Sequence, residues 1–485
     1  MSRLASPMPS PSLHRRTGSS RLRLAPFLLA WGLVVSPACK KNPQCCDTPD
    51  CSGGSSKRVG TDVLQFKGRV PENLLFLSID TLRKDHLGTY GGPSNNTPFL
   101  DRKAREGLVL YDHHQCANWT LAGMACTLAG AYDTDRGHQT RLQGTDQNRP
   151  PVPDGTPLLP LWLSDAGYRT AAVSSNSFFS KKWGTNQGFE RFGNPPGGGE
   201  AAGPKGLTFL RSLLQDANDP WFLHLHFIEP HAPYDPGASF LDGLDDLPQW
   251  PTDLSDKDTH YDERGEWPDM VPQEQDLLES HLRVRYAGEV RYLDSLIEDT
   301  WKDYDQKCWL DDTLVVVWSD HGEAFWEHGK QTHAYNLTGE ENDGVLFFWA
   351  KNIVAGTYAE PTSTIDLVPT LLDLYGLPIP PEVTGVPIGT AHADRPLFAG
   401  TLGRLGGVQA VMKAGYKMQY HWASSRVRLW NRSADPEETD DLFDADDPWV
   451  QELWTDLLPQ IARMAELVVR QDPAPTWPDD LPRPE

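Results

Sequence analysis

Three continuous apolar runs end on polar residues: ENLLFLSID (Glu72–Asp80), WFLHLHFIEPH (Trp221–His231) and DDTLVVVWSDHGE (Asp311–Glu323). Unbroken apolar runs of this length mark strands covered on both faces, the kind found in parallel sheets. Helical stretches separate them. TPFLDRKAREGL reads as a helix closed by Gly107, and LAGMACTLAGAY carries small and apolar residues at helical spacing, with Thr120 at or near its start. PLLPLWLSDAGYRTAAVSSN is a helix, a glycine stop and a strand, and KGLTFLRSLLQD leads into the second run in the same way. QEQDLLESHLRVRYAGEVRYLDSLIEDTWKDYD is a long amphipathic helix or a helix pair, GVLFFWAK a strand, and STIDLVPTLLDLYG a helix. Alternation of this kind predicts an α/β domain, a largely parallel sheet with helices on both faces.

Two segments break the pattern. Residues 235–272 are rich in Asp, Pro and Trp without a period, and read as an insertion or lid. From about Arg395 onward, LFAGTL, VQAVMKAGYKMQYHWA and RVRLWNR read as antiparallel strands and WVQELWTDLLPQIARMAELV as a terminal helix. This predicts a smaller α+β subdomain over 395–485 beside a main domain over 71–394.

The first 38 residues read as an export signal: four arginines (Arg15, Arg16, Arg21, Arg23), the apolar run Ala25–Val35, then Ser-Pro-Ala-Cys. Cleavage before Cys39 would leave a lipid-modified cysteine, as in bacterial lipoproteins; plain Ser-x-Ala cleavage is the other reading. Residues 39–70 are polar and Gly/Ser/Pro-containing and read as a tether. The expected location is the bacterial cell envelope or periplasm, with the chain held to the membrane by lipid at Cys39. An exported chain permits disulfides among its seven cysteines, but their pairing cannot be read from the sequence. A net charge of −23 argues against a nucleic-acid partner, which needs clustered Lys and Arg. The oligomeric state is not legible.

Open α/β sheets bind ligands beyond the carboxyl ends of their strands. Asp80, Asp320 with His321, and the Glu229-Pro230-His231 group all fall there. Any one of them could cap a turn. Two carboxylates and an imidazole arriving together would instead suit a divalent cation.

SIDTLRKDHLGTYGGPSNNTPFLD, WFLHLHFIEPHAPYDP, VVVWSDHGEAFWEHG, TIDLVPTLLDLYGLPIP and GYKMQYHW…DPEETDDL are similar, in order, to motifs of the sulfatases within the alkaline phosphatase superfamily. The resemblance runs from about Asn73 to Leu442. It implies an alkaline phosphatase-like three-layer sandwich and one divalent metal ion (Ca, Mn, Mg or Zn). Asp80, Asp320 and His321 match metal ligands, with Thr81 where a further ligand often stands. His231 and His333 match histidines that contact the transferred group or protonate the leaving oxygen. Asn176 falls near the substrate-binding segment, and Lys417 matches a lysine near the site entrance. His224 and His226 alternate along one strand face and read as structural.

Many sulfatases convert a Cys or Ser to formylglycine within C/S-x-P-x-R. Neither Cys116 nor Cys126 has the required Pro and Arg. A subset of relatives carries Thr at this place, and WTLAGM aligns with it, so Thr120 takes the nucleophile position and becomes a metal ligand as well. Ala122 replaces the Pro, and Met124 stands where Arg or His would be. Cys126, almost two turns past Thr120, is expected to pack as a small buried residue. Three functions follow: a hydrolase of sulfate esters with a threonine nucleophile, a phosphoester hydrolase or phosphotransferase, or a catalytically inactive surface-binding member.

Overall fold

The computed structural model describes residues 63–136, 151–196, 198–214, 219–244, 248–390, 394–403, 406–468, 477–478 and 480–483. The export signal, Cys39 and most of the tether lie outside these residues. Among the described residues no helix is long and apolar enough to cross a membrane.

Eight strands form the main sheet in the order Gly356–Tyr358, Leu108–Leu110, Leu346–Trp349, Thr313–Ser319, Asn73–Ile79, Trp221–Phe227, Arg169–Ser174 and Arg191–Gly193. Leu346–Trp349 is antiparallel to both of its neighbours, while the remaining pairs are parallel. The three runs read from the sequence therefore lie side by side at the centre of the sheet, with Asn73–Ile79 in the middle.

Because strand side chains alternate between faces, each run feeds two cores. Leu75, Leu77, Ile79, Leu223, Leu225 and Phe227 pack with helices Pro98–Glu106, Ala202–Leu213 and Pro272–Gln306. Leu74, Phe76, Phe222, Val316 and Trp318 pack with helices Thr120–Ala129, Leu159–Asp165 and Leu367–Leu374. This is the expected helix–sheet–helix sandwich. The long amphipathic segment is one helix of 35 residues rather than a pair. Gly107 ends its helix with φ −116°, so no left-handed turn demands a glycine there. A Cβ at Gly107 would instead run into the Phe348 carbonyl of the sheet.

The structure adds detail to two segments that the composition marked out. Leu64 is buried in the second core and Phe66 bridges to Ile353, so the last part of the expected tether already belongs to the folded body. Within 235–272 a ten-residue helix, Lys257–Glu266, begins at Asp256, whose carboxylate accepts from the Thr259 N–H. That helix is held by its cap and by burial of His260 against Tyr234, which leave no periodic trace in sequence.

Beyond the main sheet, strands Leu397–Gly403, Gly406–Lys413, Tyr416–His421 and Arg426–Asn431 form an antiparallel sheet in that order. Helix Pro448–Val468 covers it, burying Trp454, Leu457 and Ile461 against Met418 and Tyr420. This sheet meets the main body closely: the Gly400 N–H donates to the Cys116 carbonyl, and Gln419 Oε1 accepts from the Leu337 N–H.

Candidate active site

The ladder continues one residue past the strands. The Asp80 N–H donates to the Phe227 carbonyl and the Asp320 N–H to the Ile79 carbonyl. Register therefore sets Asp80 and Asp320 side by side, both fully buried. Thr81, the next residue, holds φ +54°, a conformation a β-branched side chain rarely adopts and one that tends to occur at functional sites. Its N–H donates to Asp320 Oδ1 at 3.3 Å, and its carbonyl accepts from the Tyr286 hydroxyl at 2.6 Å.

His321 Nδ1 lies 2.9 Å from the Gly322 carbonyl. A carbonyl only accepts, so Nδ1 carries the proton and Nε2 presents a lone pair. Nε2 stands 3.4 Å from Asp80 Oδ1 and 3.6 Å from Asp320 Oδ2. Burial, and then the neighbouring His333, lower the His321 pKa to about 3, which keeps the ring neutral. Burial would raise Asp80, but His226, His231 and His321 outweigh it and hold its carboxyl well below the usual range. Burial and the charge of Asp80 push Asp320 well above it.

These three side chains fit a divalent cation. Their ligand atoms lie within 4.8 Å of one another, and ligands on opposite sides of an ion at 2.0–2.5 Å are separated by up to about 5 Å. Asp80 Oδ1, Asp320 Oδ2 and His321 Nε2 are buried and have no hydrogen-bond partner, although buried polar atoms are almost always satisfied. A cation would satisfy all three and relieve the repulsion between the carboxylates.

Thr120 is the first residue of its helix, with Trp119 as an extended N-cap that makes no side-chain cap. Its hydroxyl donates to Asp80 Oδ2 at 3.4 Å and accepts from Asn176 Nδ2 at 3.1 Å. Asn176 Nδ2 also donates to Asp80 Oδ2, and Asn176 Oδ1 accepts from the Phe178 N–H at 2.6 Å. Asn176 therefore contacts the carboxylate and the hydroxyl rather than standing apart at a substrate rim. The helix can approach this closely because residue 123 is glycine: a Cβ there would sit 2.9 Å from the Asp320 carbonyl oxygen. Met124 points into the core below the sheet and offers the site nothing polar.

His231 and His333 come together with ring centroids 5.3 Å apart, and His333 lies 4.4 Å from His321. His231 Nδ1 donates to the Ala232 carbonyl at 2.6 Å, which leaves Nε2 for other work. His333 Nδ1 pairs with buried Glu323 Oε1 at 3.3 Å. Burial would raise Glu323, yet His333 holds it down at about 2. Thr332 (φ +77°) and Ala334 (φ +68°) flank His333 in left-handed conformations.

Two residues close to this centre were not among the candidates for the site: His226, read from the sequence as structural, and Glu323. His226 Nδ1 meets Ser78 Oγ at 2.8 Å, and its Nε2, buried without a hydrogen-bond partner, lies 3.6 Å from Asp80 Oδ2. The same hydroxyl meets His224 Nε2 at 2.7 Å, and burial keeps His224 well below the usual imidazole range. His224 is thus structural, as read, whereas His226 reaches the carboxylate because it is next to last on its strand. Glu323 is the other, and its signal was only its place three residues past Asp320.

Two expectations change. Cys116 and Cys126 form a disulfide, so Cys126 is not a free packing residue and neither sulfur is a thiol. Lys417 does not join the other candidates: its fully buried ammonium pairs with Glu438 at 3.0 Å, and Arg432 Nε holds the same carboxylate at 2.9 Å.

The model of the family described as Sulfatase matches residues 72–377. The choline-sulfatase of Rhizobium meliloti is 27% identical over 36% of this chain and only 35% of its own length. An arylsulfatase of Clostridium perfringens is 22% identical over 67% of this chain and 79% of its own. A protein solved in complex with its substrate D-glucosamine-2-N,6-O-disulfate superposes with a TM-score of 0.65 at 18% identity, covering 84% of this chain and 99% of that one.

Proposed function

Because the chain belongs to the sulfatase family, we propose that it hydrolyses sulfate esters with Thr120 as nucleophile. The observation that carries the assignment is the Thr120 hydroxyl, hydrogen-bonded to Asp80 and Asn176 beside three buried, unsatisfied ligand atoms. Asp80, Asp320 and His321 would hold one divalent cation, with Thr120 as a further ligand. When bound, such an ion lowers the pKa of a nearby hydroxyl and offsets the charge of an anionic ester.

The chain's own groups account for the remaining work. Asp80 Oδ2 accepts the Thr120 hydrogen bond and Asn176 Nδ2 donates to the same hydroxyl, so the two fix its direction. At the first position of its helix, Thr120 is also next to backbone N–H groups that favour an incoming anion. His333, paired with Glu323, and His231 beside it would stabilise charge or protonate the departing alkoxide.

A second reading is transfer or hydrolysis of a phosphoryl group. It is favoured by the disulfide, which leaves no thiol at Cys116 or Cys126 for conversion to an aldehyde. A formylglycine hydrate expels sulfate by collapsing to the carbonyl, whereas a threonine ester must be cleaved by a second attack, an ordinary course for phosphothreonine.

Turnover of 4-nitrophenyl sulfate and 4-nitrophenyl phosphate by the cation-loaded protein and by Thr120→Ala tests both readings. The expected result is sulfate turnover that falls by roughly a thousandfold or more in the variant. Preference for the phosphate ester selects the second reading. Undiminished turnover by Thr120→Ala rules out the nucleophile, and no turnover of any ester leaves the inactive binding member.

A further inference from the structure

The Cys116–Cys126 disulfide brackets Thr120: the two half-cystines are ten positions apart in sequence, with Thr120 four residues past the first. The segment entering the helix is anchored from several sides. The Cys116 N–H donates to Thr364 Oγ1 at 3.1 Å, and the Cys116 carbonyl accepts from the Gly400 N–H at 3.0 Å. Asn118 Nδ2 donates to buried Glu341 Oε2 at 2.8 Å. At the first turn of the helix, the Thr120 hydroxyl is held only by Asp80 and Asn176 among the side-chain hydrogen bonds of the described residues. Trp119, the N-cap residue, makes no side-chain cap to the leading N–H groups. The cross-link joins the anchored segment to the second turn at Cys126, so the turn that bears Thr120 is clamped between two fixed points.

We propose that the Cys116–Cys126 disulfide is a positioning element for the Thr120 hydroxyl, holding it on Asp80 and Asn176 rather than only stabilising the fold. The proposal rests on Thr120 being the nucleophile. The Thr120–Asp80 contact is 3.4 Å, already past the range of about 2.5–3.0 Å usual between hydroxyl and carboxylate, so little slack remains before it is lost. Misplacing a reacting group by about 1 Å costs roughly a hundredfold in rate.

The test uses the full chain with two replacements of the pair: Cys116→Ala with Cys126→Ala, and Cys116→Val with Cys126→Ala, the second filling more of the vacated volume. For each, kcat and KM on whichever aryl ester the wild type turns over are measured with the thermal midpoint and the bound cation. Positioning predicts variants that melt above the assay temperature with unchanged cation content, KM within about twofold of wild type and kcat about a hundredfold lower. A merely structural role would not separate kcat from KM in this way. Wild-type kcat in either folded variant overturns the proposal. So does unfolding of both at the assay temperature, because the bridge is then a folding element. Thr120→Ala, run alongside, keeps the two readings apart. Its full activity overturns both, whereas its inactivity beside active disulfide variants overturns only the positioning role.

Discussion

Replacing Gly123 with alanine pits helix propensity against the geometry of the site. In a helix with free space, alanine is preferred to glycine by about 1 kcal/mol. Here the added Cβ would meet the Asp320 carbonyl oxygen at 2.9 Å, against an ordinary contact distance that begins at 3.4 Å. The helix, or the turn carrying Asp320, must give by about half an ångström, and overpacking of this kind costs about 1–3 kcal/mol. The net expectation is a loss of about 0–2 kcal/mol. The activity effect is the larger one. Thr120 lies one turn earlier on the same helix, and the Gly123 N–H donates to Trp119 O at 2.9 Å, so the displacement passes to the hydroxyl. With the Thr120–Asp80 contact already at 3.4 Å, kcat should fall by roughly tenfold to a hundredfold. Urea unfolding of wild type and variant gives the stability difference, and steady-state kinetics on the cation-loaded proteins gives kcat. A Gly123→Ala protein more stable than wild type with unchanged kcat would refute the claim that glycine is needed for the approach of helix to strand end.

Cation binding should raise the thermal midpoint more at pH 8 than at pH 5. Asp320, raised in the folded state, contributes stability that is full below its unfolded pKa and is lost as pH rises through the folded value; Asp80, lowered, contributes stability that is lost only as pH falls. At a hundredfold excess over Kd the ion adds about 2.7 kcal/mol, and a thermal shift independent of pH would count against the pair as its ligands. Glu323→Gln should cost about 3 kcal/mol, because it removes the buried negative charge paired with His333. Since His333 holds Glu323 down at about 2, the wild type should lose that share of stability as pH falls from about 5 toward 2; denaturant midpoints across this range, unchanged by the substitution, would exclude it. Lys417→Met should lower stability while leaving kcat/KM within about twofold, since its ammonium is committed to Glu438. A fall in kcat/KM at unchanged stability would instead make Lys417 a substrate-binding residue.

The strand ends were legible because burial on both faces forces an unbroken apolar run, and the first polar residue after it must leave the sheet where ligands bind. That logic located Asp80, Asp320, His321 and His231. It did not show that His226 lies near Asp80, since alternation along a strand gives the face a side chain points to but not what the next strand brings opposite it. Asn176 was identified, yet its double hydrogen bond to Asp80 and Thr120 depends on how far the chain runs past Ser174 before it turns. The helix Lys257–Glu266 was missed because an aspartate cap and one buried histidine hold it, not a periodic apolar face.

Local order along the chain was enough to determine the α/β sandwich, the antiparallel sheet that follows it and the family resemblance. Those features are written in periodicities and short motifs that each element carries within itself. Tertiary structure alone decided that Cys116 bonds to Cys126, that Lys417 is spent on Glu438, and that Gly123 lets the Thr120 helix come against Asp320. Each of these is a contact between segments whose separation is fixed by sheet register and helix packing, and no single segment records what will lie across from it.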